Sequence, residues 1–208
     1  MSTNPDVIQK CLWPACLVSL FIPGILSLHC NLLHFHLREV TWQNLKLLNS
    51  MNNSFPVECL GETGAFEFPQ DIQSYIPPGE RYLKEAFYEM STHAFNIFTQ
   101  YTIKSTWKKK YLQQIQIRLD WQMHHLEQCL EEEEKGNEDS KQIEEDGMNF
   151  SGAMVSQVSN LELRRYFYRI YNFLKDKKYS RCAWEIIRLE LRRCFYYFYK
   201  LTLLLRKE

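Results

Sequence analysis

Residues 166–194 read YFYRIYNFLKDKKYSRCAWEIIRLELRRC: an aromatic segment, a basic turn, Cys-Ala-Trp and a second apolar-periodic segment. Leu163, Phe167, Ile170 and Leu174 recur at three- and four-residue spacing before the turn, and Ile187, Leu191, Cys194, Phe198, Leu201 and Leu205 after it. That period places one apolar stripe on each of two helices, separated only by the Lys178–Ser180 region. The run Phe195-Tyr196-Tyr197-Phe198-Tyr199 cannot face one core, because five successive helical residues sample every direction. Phe195 and Phe198 are expected inside; Tyr196 and Tyr199 are left for contact with a partner.

Three more stripes precede this pair. Leu33, Leu37, Val40, Leu45, Leu48 and Met51 define the first; Leu83, Phe87, Met90, Ala94, Phe98 and Tyr101 the second; Leu112, Ile115, Leu119, Met123, Leu126 and Leu130 the third. No strand-length alternation competes with them, so the fold class is all-α, a five-helix bundle. Pro56, Pro69, Pro77 and Pro78 make residues 52–80 largely non-helical. A link that long lets the first two helices run in the same direction. A second long link is read over residues 133–160, and two long crossovers point to a cytokine-type bundle.

At 208 residues the chain fits one domain. Residues 1–27 read as a secretory leader cut near Ser27, leaving a helical domain over 28–208. The alternative is a membrane-anchored helical interaction protein that retains the apolar run 11–28; no later stretch is apolar for long enough to span. A secreted, extracellular product with no membrane insertion of the mature chain is expected. Cys30, Cys59, Cys129, Cys182 and Cys194 remain after the leader; four of five form two bridges, with three connectivities open for any four. A leftover Cys194 is read as a small buried hydrophobe, the sharper alternative being an intermolecular disulfide. Asn52 and Asn149 head glycosylation sequons in expected loops.

Net charge is zero but unevenly spread. Residues 131–146 hold nine acids against Lys135 and Lys141 and read as a solvated loop, whereas residues 161–208 hold thirteen Lys and Arg against five acids. Helical spacing sets Glu185, Arg188, Arg192 and Tyr196 on nearby turns with Arg193 at their edge, a recognition face rich in the residue types of interface hot spots. No catalytic constellation or phosphate-binding glycine loop stands out. His34/His36 and His124/His125 lack zinc-ligand spacing. The Lys108–Lys110 triplet is too little for a nucleic-acid surface. Neither metal, cofactor nor nucleic acid is expected, and the chain is not read as an enzyme.

The aromatic pair Tyr166-Phe167, then Arg169-Ile170, Phe173-Leu174 and Cys182-Ala183-Trp184 resemble the C-terminal signature of the type I interferons, with further matches in VTWQNL at 40–45, NSFPVECL at 53–60, AFYEM at 86–90 and FNIF at 95–98. The resemblance implies disulfides Cys30–Cys129 and Cys59–Cys182, with Cys182 and Trp184 structural. It implies a monomeric ligand that bridges the two chains of the type I interferon receptor in antiviral and immune-regulatory JAK-STAT signalling. The tighter-binding chain would meet Leu60 in the first long loop and Arg188 and Arg193 on the last helix, to which the recognition face adds Arg192 and Tyr196. The weaker-binding chain would meet Phe95, Asn96 and Arg164. Thr63 stands where many alpha and beta interferons carry arginine, and Arg192 is the candidate compensation. Arg164 is expected at a helix start, where the dipole disfavours a cation. A helical hormone of another cytokine family would keep the bundle but lack Cys-Ala-Trp.

Overall fold

The computed structural model describes residues 30–51, 55–62, 66, 80–102, 105, 107–140 and 148–204. Five α-helices carry them: α1 Leu33–Met51, α2 Glu80–Asn96, α3 Lys109–Ser140, α4 Met148–Asp176 and α5 Arg181–Leu204. A 3₁₀ turn, Val57–Glu62, lies in the first crossover, and α2 runs on into a π turn, Ile97–Tyr101. The leader read over 1–27, Asn52 and Thr63 lie outside the described residues. No described helix is long and apolar enough to cross a membrane.

The five stripes meet in one core. Leu33, Leu37, Leu45, Leu48 and Met51 of α1 are buried, as are Leu83, Phe87, Met90 and Ala94 of α2 with Phe98 beyond it. Leu112, Ile115, Leu119 and Leu126 of α3, all four stripe residues of α4, and Ile187, Leu191, Cys194, Phe198 and Leu201 of α5 join them. Val40, Met123 and Leu130 are only half-buried, at the margins of their stripes.

Residue pairings fix the directions. Cys30–Cys129 and the Arg118 Nε to Gln43 Oε1 bond (2.8 Å) set α1 against α3. The Lys84–Glu133 pair and Gln122 Nε2 donating to Ser91 Oγ (2.7 Å) set α2 against α3. α1 and α2 therefore run the same way, as the long crossover predicts. Arg164 on Glu89 and Phe167 stacked on His93 at 5.0 Å set α4 parallel to α2. Leu48 with Arg188 and Trp42 with Tyr199 return α5 against α1.

Both disulfides have the pairing that the family resemblance implies, Cys30–Cys129 and Cys59–Cys182, at sequence separations of 99 and 123. Loops of that length correspond to about 4–5 kcal/mol each in the chain-entropy picture. The second bridge ties the 3₁₀ turn to the first residues of α5.

The charge pattern misleads between α3 and α4. Residues 133–160 are not one long loop: α3 continues to Ser140 and α4 begins at Met148. The run Glu131-Glu132-Glu133-Glu134-Lys135 has good helix propensity, and its acids find cations across the bundle: Glu133 takes Lys84, and Glu134 takes Arg81 at 3.0 Å. Since α3 and α4 are antiparallel, their connection need not return along the bundle, and only the first crossover must do so. Asn149 consequently lies in the first turn of α4, not in a loop, and Arg164 lies well inside α4, where the helix-start argument does not apply.

The α4–α5 turn uses left-handed backbone at two residues, Lys178 (φ 51°) and Tyr179 (φ 57°). Tyr179 N–H reaches back to the Leu174 carbonyl at 2.8 Å, closing α4. Ser180 Oγ then accepts from Ala183 N–H at 3.2 Å and caps α5. Tyr179 packs against the core, while the Lys178 side chain is exposed and its backbone N–H donates to the Lys175 carbonyl at 3.0 Å. Lys178→Gly should raise the free energy of unfolding by about 0.5–1 kcal/mol, because a left-handed position favours glycine by more than its chain entropy costs. Urea denaturation of the two proteins checks it.

Candidate functional site

Among the described residues, the N-terminal half of α5 is the most enclosed stretch. Residues 183–188 are all buried, which no helix with one exposed face shows. The disulfide-held 3₁₀ turn, α1 and Trp107, whose ring meets Trp184 edge-on at 5.1 Å, cover it from several sides. Arg188 and Glu185 therefore do not belong to a recognition face: each is 3% exposed. They pair at 3.0 Å, and Arg188 Nη1 donates to the Leu48 carbonyl at 3.3 Å. Leu48 lies in the last turn of α1, where carbonyls lack an intrahelical donor, so the buried guanidinium caps α1.

Farther along α5 the expected face survives. Arg192, Arg193 and Tyr196 are exposed and, with Trp42, Leu45, Asn49 and Leu189, line a groove of about 470 Å³ between α1 and α5. Arg193 is anchored, donating at 3.4 Å to both Glu190 and the Phe66 carbonyl. Phe66 itself packs edge-on against Phe173 at 4.9 Å, so the first crossover is fastened beside the groove. Arg192 has no hydrogen-bonded or ion-paired partner among the described residues. Leu60 is 56% exposed on the 3₁₀ turn, next to Cys59, whose bridge reaches the start of α5.

Of the groove residues on α1, Leu45 was read only as core, and Trp42 and Asn49 escape the sequence reading. Trp42 falls off the apolar stripe of its helix, and a tryptophan outside the core stripe was the available signal. It is 41% exposed, 5.3 Å from the Tyr199 ring, with Lys46 Nζ 5.2 Å from its own ring centre.

The other candidate residues lie on the α2/α4 side. Phe95 is half-buried against the core and Asn96 closes α2. Arg164 grips the Glu89 carboxylate with two bonds, 2.6 and 3.1 Å, and His93 Nε2 lies 3.0 Å from the same group. Burial pushes the Glu89 carboxyl upward, but the hydrogen bonds from His93 and Arg164 and the Arg164 charge outweigh it and hold the group at about 2. Next to this clamp His93, Arg164, Arg165, Tyr168 and Tyr171 line a cleft of about 340 Å³. Tyr168, exposed on α4, is a second residue that the sequence reading did not single out.

The buried reactive groups serve packing. Cys194 is free and buried, as the small-hydrophobe reading has it, and burial, with Glu190 nearby, pushes its thiol well up. Tyr166, raised by burial, donates to Glu190 at 3.2 Å. Among the described residues no group of three or more His, Cys, Asp or Glu is placed to hold a metal ion.

The sequence pattern of the interferon alpha/beta domain matches residues 33–205. The chain is 62% identical to human interferon kappa over 208 residues, 100% of both chains. It is 35% identical to mouse interferon kappa over 197 residues, 95% of this chain and 92% of that one. With human interferon beta it shares 32% over 202 residues, covering 95% and 98%. Among solved structures, zebrafish interferon 2 superposes with a TM-score of 0.58 at 21% identity, over 76% of this chain and 94% of that one, a likeness of fold.

Two outcomes test the geometry. Arg188→Ala strands Glu185 and uncaps α1, so it should cost about 3–5 kcal/mol of stability, against less than about 0.5 kcal/mol for the exposed Arg192→Ala; chemical denaturation separates them. For Glu89, a carboxyl held at about 2 instead of its ordinary 4.5 stabilises the fold above pH 4.5 and loses that contribution as pH falls toward 2. Glu89→Gln should flatten the stability loss between pH 5 and pH 2 by about 1–2 kcal/mol, allowing for solvent screening of the exposed Arg164.

Proposed function

This chain belongs to the interferon alpha/beta, or type I interferon, family, whose members are cytokines and not enzymes, and we propose that it is a kappa-like ligand bridging the two chains of the type I interferon receptor. The bridge brings the receptors' cytoplasmic kinases together and starts JAK-STAT antiviral and immune-regulatory signalling. In this reading residues 1–27 are removed on secretion, Asn52 and Asn149 are glycosylation acceptors, and the ligand works as a monomer.

The observation that carries the reading is the presence of two separate clefts on one disulfide-tied bundle. The α1/α5 groove with Arg192, Arg193 and Tyr196 suits the tighter-binding chain, together with Leu60 on the adjoining crossover. The α2/α4 cleft beside Arg164, with Phe95 and Asn96 at the end of α2, suits the weaker-binding chain. Arg188 supports the first face from inside, by fixing α5 on α1. Once one receptor is held, the second contact is intramolecular in the membrane plane, so a weak second face suffices.

The test is binding of the secreted mature chain to each receptor ectodomain, with antiviral response compared in receptor-intact and receptor-deficient cells. Binding to both and a response that disappears without receptor are expected; folded protein that binds neither chain refutes the reading. Arg192→Ala should weaken binding to the isolated tighter-binding chain about tenfold, or about 1.4 kcal/mol, since its exposed guanidinium has no polar partner among the described residues and can take a receptor carboxylate. Unchanged affinity removes Arg192 from the energetics.

A further inference from the structure

We infer that Glu190 is a positioning residue: its carboxylate ties α4, α5 and the first crossover together beneath the surface, and in doing so sets the place of the exposed Arg193. The inference rests on the receptor reading above, in which Arg193 meets the tighter-binding chain, and adds to it a residue that acts from inside the fold.

Groups from three elements meet around this carboxylate. From α4, the Tyr166 hydroxyl donates to Oε2 at 3.2 Å. On α5 itself, Arg193 Nη1 donates to Oε1 at 3.4 Å, and the Cys194 thiol is close enough to feel the Glu190 charge. The crossover contributes the Phe66 carbonyl, which accepts a second bond from the same Arg193 Nη1, also at 3.4 Å. Phe66 is fixed in turn by its edge-on contact with Phe173 of α4. Both bonds of Arg193 leave from Nη1, so Nε and Nη2 have no hydrogen-bond partner among the described residues and stay available to a ligand-binding protein.

A carboxylate in this place is a cost to the fold. Its side chain is 15% exposed, and its compensation is thin, because the single Tyr166 hydroxyl proton is divided between Oε2 and the Glu190 backbone carbonyl, 3.3 Å away. Burial accordingly pushes the Glu190 carboxyl above its ordinary range, and the opposing pull of Arg193 and Tyr166 does not bring it back. An acid raised in this way favours folding while protonated and loses that contribution as pH rises through its folded value, the reverse of Glu89. At neutral pH the ionised group is therefore held against its own preference. A glutamine has nearly the same shape and would still accept from Tyr166, but it lacks the charge that holds a cation. Without that charge the half-exposed Arg193 samples more rotamers, and the ordering is left to the binding step. Protonation of Glu190 removes the same hold. A buried acid that lowers stability while fixing an exposed arginine is explained by what the arginine does.

The experiment uses the full secreted chain and its Glu190→Gln, Arg193→Ala and Glu190→Gln/Arg193→Ala variants. Each is melted thermally and measured by surface plasmon resonance against the two isolated receptor ectodomains, at neutral pH and at about pH 5. At neutral pH Glu190→Gln should melt no lower than the parent, yet bind the tighter-binding chain about three- to tenfold more weakly, as expected for a charge-assisted bond made neutral. Binding to the weaker-binding chain should stay within about twofold. Because Glu190 acts through Arg193, the double variant should bind no more weakly than Arg193→Ala alone. The ratio of parent to Glu190→Gln affinity, in which titration of the receptor cancels, should shrink toward one as pH falls. Parent-like affinity of Glu190→Gln at neutral pH overturns the proposal, as do losses that multiply in the double variant, an affinity ratio unmoved by pH, or a lower melting temperature with equal loss toward both chains. A parent chain that binds neither ectodomain refutes the receptor reading itself, an outcome distinct from these.

Discussion

A guanidinium buried in a helical core must find compensating partners or destabilise the fold, and Arg188 finds them in two directions at once. Glu185, one turn earlier on α5, supplies the opposite charge at 3.0 Å. The Leu48 carbonyl, in the last turn of α1, supplies a second acceptor at 3.3 Å. Because α1 ends there and the crossover begins, this node fixes where the first long connection departs. The Cys59–Cys182 bridge fastens the same connection to the beginning of α5 a few residues later. Helix end, crossover and last helix are thereby held as one unit, and the groove between α1 and α5 inherits its shape from that constraint. A buried pair of this kind is weak evidence for net stability, since apolar residues of equal volume often serve as well; its geometric effect is clearer.

The α2/α4 side is organised by a different physical means. Glu89 is largely covered, yet it holds the exposed Arg164 by two bonds and lies against His93, which stacks on Phe167. The clamp crosses two parallel helices that share no short connection, so it supplies by side chains what the chain path does not. At the α2 start, Lys84 and Arg81 meet the acids at the far end of α3. Glu133 and Glu134 of the acidic run are thus held by tertiary ion pairs, and charge density alone is a poor guide to this part of α3. The two clefts thus have separate structural supports, as the proposed two-contact ligand requires.

Most of the architecture was legible because it depends on periodicity. The stripes of α1, α2 and α5 name core residues such as Leu48, Phe87 and Phe198 correctly, and the prolines of the first crossover imply its length. Disulfide pairing came from resemblance, since four cysteines allow three connectivities. What failed depends on partners from elsewhere in the chain. Arg188 shares a helical face with Arg192 and Tyr196, but periodicity cannot know that the 3₁₀ turn, α1 and Trp107 close over only the first half of α5. Glu133 and Glu134 read as solvent-seeking until Lys84 and Arg81 are placed opposite them. Arg192 and Tyr196 were legible as exposed, whereas the groove was not, because three of its seven lining residues come from α1 across an interface that no local pattern describes.

The contrast among Arg188, Arg193 and Arg192 shows how the residues of a basic face divide between structural use and exposure. Arg188 is desolvated in the free protein, and its hydrogen bonds are committed before any partner arrives. Arg193 is intermediate, exposed but engaged by Glu190 and Phe66. Arg192 is exposed, with no polar partner among the described residues, and in the proposed complex its desolvation would be deferred to binding, where a correctly placed carboxylate would offset it. A partner lacking that group leaves a cation covered and unpaired, at a cost of a few kcal/mol. Selectivity on such a surface would therefore reside in Arg192, which has no polar partner among the described residues.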